Sequence, residues 1–133
     1  MADVVKGEGY AVAESLDALG EGYGFRKVRK ELDVTAFGVN VITIPPGYET
    51  GLHWHDQQEE LYFVHRGAIA IRFGEDEADE HDLREGGAAR VDPSTVRGVR
   101  NLSDSEDAVY LVVGGKDGYV GRDGNQPEGE HRR

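Results

Sequence analysis

His53 and His55 stand two residues apart, and the carboxylates of Glu59 and Glu60 follow four and five residues later. On an extended strand residues two apart share a face, so both imidazoles point one way and Trp54 the other. The polar stretch Asp56, Gln57, Gln58 reads as a turn, after which the next strand brings a carboxylate beside the histidines. Glu59 and Glu60 face opposite sides of that strand, so one of them joins the pair. Two imidazoles and one carboxylate form a facial triad with positions left open for substrate or oxygen. Such a set suits one divalent transition metal, Fe, Mn, Ni or Zn, and the residue types do not choose among them. Without a metal, the same histidines are polar groups lining a cavity mouth.

The elements that must position these residues are strands. Nineteen glycines recur between short apolar stretches of the 133-residue chain, the punctuation of an all-β protein. Residues 25–34 carry charges at Arg26, Lys27, Arg29, Lys30 and Glu31 and read as an edge or half-exposed strand. Residues 37–44 form a stronger strand stopped by Pro45 and Pro46. Further strands are expected at 51–55, 59–65, 68–73, 87–91, 95–101 and 108–113, about eight or nine in all, which indicates a sandwich or barrel. The one helical signal is a short turn near 14–20, with Ser15 as its cap and Gly20 as its stop. Residues 75–82 make a solvated acidic hairpin tip. Strand parity puts Tyr62 and Val64 on the face of Glu60, and Asn40 with Ile42 and Ile44 on a neighbouring strand lining the same cavity. Tyr62 and Asn40 are therefore candidate ligand contacts, Tyr62 also being an ordinary wall residue with a satisfied hydroxyl.

Gly47, five residues, His53-x-His55, four residues, Glu60, six residues and Gly67 together resemble the first signature motif of the cupin superfamily. Residues 86–101 resemble a degraded second motif. Gly86 and Asn101 match its ends, Asp92 and Ser94 replace its proline and glycine, and Arg97 occupies the place of a third histidine ligand. The resemblance implies a single-domain cupin jelly-roll β-barrel over 25–115. Residues 1–24 then form an N-terminal extension with a short helical turn, and 116–133 a flexible C-terminal tail. It also implies His53, His55 and Glu60 as metal ligands, selects Glu60 over Glu59 by its distance from Gly67, and suggests a homodimer. Trp54, facing away from the histidines, is the expected packing or interface residue.

Arg97 is the departure that matters, because arginine cannot lose its proton to become a ligand. A guanidinium about 5 Å from a divalent cation costs several kcal/mol at an effective dielectric near 20. It can swing away from a three-ligand metal, pair with Glu60 in place of a metal, or hold an anionic ligand at the pocket mouth. Two functions follow. One is a small cupin binding an anionic metabolite beside a divalent metal, with dioxygenase- or isomerase-type chemistry. The other is a metal-free binding module built on an Arg97–Glu60 pair. Whether the chain is an enzyme stays open, since the fold hosts many activities.

Composition excludes other classes. A net charge of -11 offers no basic face for nucleic acid. No run approaches the ~20 apolar residues of a membrane helix. The absence of cysteine removes disulfides and thiolate nucleophiles. Neither a serine-nucleophile elbow nor a phosphate-cradling glycine loop before a helix is present. A cytoplasmic protein with a small-molecule ligand, and neither nucleic acid nor membrane as partner, is the expectation. His65, His81 and His131 have no ligand partner at useful spacing.

Overall fold

Along β6 (Glu59–Arg66) burial alternates from residue to residue: Glu60, Tyr62 and Val64 are buried, while Glu59, Leu61, Phe63 and His65 are exposed. That alternation fixes which carboxylate faces inward, and it recurs wherever a sheet has one wet face. The computed structural model describes residues 4–132. β6 lies in a five-stranded antiparallel sheet ordered β3-β4-β11-β6-β9, built from β3 (Gly24–Arg26), β4 (Gly38–Ile44), β9 (Ala88–Val91) and β11 (Ala108–Gly115). A three-stranded sheet ordered β10-β7-β8 faces it, from β7 (Ile69–Phe73), β8 (Asp79–Leu83) and β10 (Arg97–Asn101). Ile69, Ile71 and Val99 of the smaller sheet meet Ile42, Ile44, Val64 and Tyr110 of the larger in one buried cluster. This is the all-β architecture expected from the strand pattern.

Two motif residues serve the frame. Gly67 closes β6 with φ 78, where a Cβ would also meet the Asp107 carbonyl at 2.9 Å, so only glycine makes this turn without strain. Asn101 is buried; its amide nitrogen donates to the carbonyls of Ile44, Pro45 and Glu106, and its side-chain oxygen accepts from Ser103 N–H. It ties the loops at the end of the barrel opposite the histidines.

The N-terminal segment holds the hairpin of β1 (Val4–Gly7) and β2 (Tyr10–Ala13), then a 3-10 turn at Leu16–Leu19. The expected strand over 25–34 is instead β3 followed by a one-turn helix, α1 (Val28–Glu31). Val28 and Leu32 stand four residues apart and pack together on Val39, Val41 and Val109, on the outer face of the large sheet. Their spacing is helical, and the charges between them mask it.

Residues 116–132, expected as a flexible tail, run back across the barrel. β12 (Gly124–Asn125) pairs with β5 (Trp54–His55). Arg132 binds Glu77 at 2.9 Å and Glu130 at 2.8 Å, and Glu77 also binds the buried Arg72. The anchors are ionic and backbone contacts, which hydrophobicity does not register. Glu77 thus leaves the acidic hairpin's fully solvated reading. Hydrogen bonding from Arg132 outweighs burial and holds the Glu130 carboxyl down to about 2, below its ordinary 4.5. A carboxyl depressed on folding stabilises above its unfolded pKa and loses that stabilisation as pH falls through the folded value. The anchor is therefore intact above pH 4.5 and released toward pH 2. A carboxyl-detected NMR titration is expected to place Glu130 at the low midpoint in the native protein; a midpoint at 4.5 would show the anchor unformed in solution.

Candidate functional site

β5 is short because one neighbour, β12, has two residues and the other side is an isolated bridge. His53 pairs by backbone with Arg97, each N–H donating to the other's carbonyl at 3.0 Å, and His55 N–H donates to Pro93. The two motifs are thus laid directly against each other, with Arg97 opposite His53. β6 then delivers Glu60. The Nε2 atom of His55 lies 3.4 Å, and that of His53 3.9 Å, from Glu60 Oε1. One ligand atom from each of the three lies within 4.8 Å of the others. The imidazoles meet edge to face at 5.1 Å.

These groups open on a cavity of about 1110 Å³ lined by His53, His55, Glu60, Tyr62, Asn40 and Ile42, among others. The expectation that Tyr62 and Asn40 face it is met by the same parity that turns Glu60 inward. Glu59 points outward and pairs with Arg90. His65 and His131 are exposed, and His81 pairs with Asp79 on the surface. Trp54 is half-buried, its backbone paired with Asn125.

Arg97 was a candidate ligand contact, and here the structure differs. The side chain is 0% exposed and does not line the cavity. It lies behind Glu60, donating from Nη2 to Oε1 at 2.8 Å and from Nε to the Tyr62 hydroxyl at 3.4 Å. Nη1 is taken by the carbonyls of Thr95, Pro93 and Asp92 at 2.7, 3.1 and 3.3 Å. A fork with five donors satisfies several acceptors at once, which explains how a guanidinium is buried here. Tyr62 donates to the same Glu60 oxygen at 3.0 Å. Burial, then the Glu60 charge, pushes the Tyr62 hydroxyl well above its ordinary range, so it stays a neutral donor.

A residue that the sequence reading missed completes the site. The buried Asp123, just before β12, takes His55 Nδ1 at 2.8 Å and the Gln58 amide at 2.6 Å on Oδ1. Its Oδ2 accepts the backbone N–H groups of Gln57 at 2.9 Å and Gln58 at 3.0 Å. A carboxylate on Nδ1 selects the tautomer that turns the Nε2 lone pair to the cavity. Gly114 makes room for this arrangement, since a Cβ there would lie 2.4 Å from the Gln58 side-chain oxygen.

Electrostatics follow from these contacts. Burial disfavours the Glu60 carboxylate, but the neighbouring His53 and His55 rings and the Arg97 guanidinium outweigh it and hold the carboxyl well below its ordinary range. Burial likewise works against Asp123 and is outweighed by Gln58, the Gln57 and Gln58 amides and His55. At His55, burial opposes the charged ring, and Glu60 and Asp123 overcome it, raising the pKa. With neutral imidazoles, Glu60 and Arg97 cancel and Asp123 leaves the cluster one negative charge.

The donor set fits a divalent cation. His55 Nε2 is buried with no hydrogen-bond partner, and it is aimed at the other two donors. A buried imidazole nitrogen left in that state calls for a proton or a metal.

Comparison with known proteins places this geometry in a family. A model described as "Cupin domain" matches residues 40–114, from β4 to the end of β11. No curated protein matches the sequence. Among solved structures, a conserved protein with a double-stranded β-helix domain from Klebsiella pneumoniae superposes with a TM-score of 0.68 at 19% identity, covering 86% of this chain and 89% of its own. A cupin protein from Bacteroides fragilis gives 0.64 at 20% identity, covering 77% and 85%. A Thermus thermophilus protein gives 0.62 at 25% identity, covering 80% and 97%. With the family model spanning more than half of the residues, the chain belongs to the cupin family.

Proposed function

We propose that His53, His55 and Glu60 hold one divalent transition metal and that the barrel binds a small anionic metabolite against it, for dioxygenase- or isomerase-type turnover. The observation that carries this reading is the unpartnered Nε2 of His55, held toward Glu60 and His53 by Asp123. When bound, the metal supplies Lewis acidity toward a chelating substrate. The protein's residues do the rest. Asp123 fixes the His55 ring, Arg97 and Tyr62 fix the Glu60 carboxylate from behind, and Ile42, Ile44 and Val112 keep the cavity floor apolar. A divalent ion turns the cluster from one negative charge to one positive, which favours an anionic ligand.

The Arg97–Glu60 contact at 2.8 Å favours a second reading, a metal-free binding module in which this pair stands in for the metal. In that state a proton on His55 brings the cluster to neutrality. Elemental analysis of protein purified without a histidine tag separates the two. Stoichiometric Fe, Mn, Ni or Zn, lost in His53→Ala, is the expected result. Protein that remains metal-free after incubation with each of the four ions would leave only the second reading.

A further inference from the structure

Charge is distributed over the cavity in the opposite sense to the protein. The chain has 26 acidic and 15 basic side chains, yet the cavity is lined by Lys27, Arg29, Lys30, Arg122 and Arg132, with Glu60 as its one carboxylate. Glu60 is itself neutralised by Arg97. Arg132 is committed to Glu77 and Glu130. Among the described residues, Lys27, Lys30 and Arg122 have no ion-pair partner, in a protein where acid outnumbers base. Three cations facing one space without acids of their own raise the positive potential there.

Their placement is built. β3 ends at Arg26 opposite Val41, which brings Lys27 to the level of Asn40 on the cavity-facing side of β4. α1 adds Lys30, and Arg29 lies with its guanidinium 3.9 Å from the Tyr119 ring centre. Arg122, which lines the same cavity, precedes Asp123 and has φ 51, a left-handed conformation that is unfavourable for a non-glycine residue. The neighbouring Asp123 carboxylate, fixed by four donors, holds the chain there. The basic groups therefore stand on α1 and the residue before it and on the returning C-terminal segment, while the metal-type donors lie in and beside β5 and on β6.

We propose that this rim is an anion subsite for a phosphate monoester, so that the ligand spans the cavity with its phosphate at Lys27, Lys30 and Arg122 and its other end at His53 and Glu60. A monoester phosphate carries close to two negative charges and three acceptor oxygens, which matches several cations better than a single carboxylate does. The volume of about 1110 Å³ exceeds what a three-carbon acid occupies and accommodates a phosphorylated sugar-sized molecule. This inference rests on the cavity being the ligand site, but not on the metal.

The test uses the full chain, with and without added metal, and calorimetric titration with glucose 6-phosphate, glucose, gluconate and inorganic phosphate. Glucose 6-phosphate is expected to bind at least tenfold more tightly than glucose or gluconate, with inorganic phosphate competing. Lys27 and Lys30 are exposed, as is Arg122, so K27E/K30E/R122E is expected to fold, keep its metal content and lose that affinity at least tenfold. Glucose 6-phosphate binding no better than glucose, or an affinity within twofold after charge reversal, would overturn the subsite. Gluconate equalling glucose 6-phosphate would overturn its phosphate selectivity. Binding lost in His53→Ala but kept in the charge-reversed variant would place the anion at the histidines and overturn the rim assignment. Protein that takes no metal yet binds glucose 6-phosphate through the rim would retire the metal reading and leave this one standing.

Discussion

Replacing Arg97 with methionine is expected to destabilise the fold by about 3–5 kcal/mol, the usual cost of removing one partner of a buried ion pair. The size follows from what the side chain holds. Arg97 is fully buried and is the counter-charge of Glu60, a hydrogen-bond donor to Tyr62, and the donor to three backbone carbonyls between Asp92 and Thr95. Methionine fills the space but leaves Glu60 as a buried charge without its guanidinium and the carbonyls without donors. Glu60→Gln added to Arg97→Met removes the stranded charge, so the double variant is expected to be more stable than the single one. Chemical denaturation of the four proteins in the cycle reads both effects. An unchanged midpoint in Arg97→Met would show that the pair does not hold the site together.

Arg97→His makes the same position report on metal. The backbone of residue 97 pairs with that of His53, so an imidazole there stands beside the three existing donors. The apo variant is expected to lose stability as Arg97→Met does, because imidazole cannot reach the three carbonyls. It should recover further than the methionine variant on adding Ni(II) or Zn(II), because it adds a fourth ligand to the three that both variants keep, and a ligand bound only by the native state stabilises it in proportion to its occupancy. Recovery in neither variant would mean that His53, His55 and Glu60 do not form a metal site in solution.

How much of this was legible in sequence depended on whether the signal was local. The inward turn of His53, His55, Glu60, Tyr62 and Asn40 is a matter of strand parity, and parity is written in the alternation of residues. The pairing of Arg97 with Glu60 was one of several arrangements that the degraded second motif allowed, and the sequence had no means to choose. Its burial depended on carbonyls of the 92–95 turn, whose direction no residue type announces. α1 was hidden because Arg29, Lys30 and Glu31 dilute a two-residue apolar face. Asp123 left no pattern at all, being one acid among glycines and polar residues, 68 positions from the histidine it binds. Only Gly114, a small residue ending an apolar strand, marks in the sequence that something must pass close by.

Asp123→Asn is the second large effect, expected to weaken divalent-metal binding by roughly 10–100-fold, the usual consequence of losing a carboxylate behind a ligating histidine. The substitution keeps size and removes both charge and symmetry. All four contacts of the carboxylate involve hydrogen donors or the Nδ1 of His55, two on each oxygen. An amide offers one oxygen, and its NH₂ must then face either the Gln57 and Gln58 N–H groups or the Gln58 amide and the His55 ring. In the first orientation the backbone turn that leads into β6 loses its acceptor. In the second, His55 no longer finds a carboxylate on Nδ1, and the tautomer with its lone pair toward Glu60 is no longer favoured. Chelator-competition titration measures the affinity, and histidine ¹⁵N shifts read the tautomer directly. Hydrogen exchange over 116–126 shows whether the strand pairing of β12 with β5 survives. Weaker metal binding with the ring tautomer changed and exchange unaltered would locate the effect at His55. Equal weakening with exchange raised throughout 116–126 would mean that Asp123 acts by clamping the returning strand. Affinity unchanged in Asp123→Asn would remove Asp123 from the site, and with it the reason that His55 Nε2 is presented to the cavity at all.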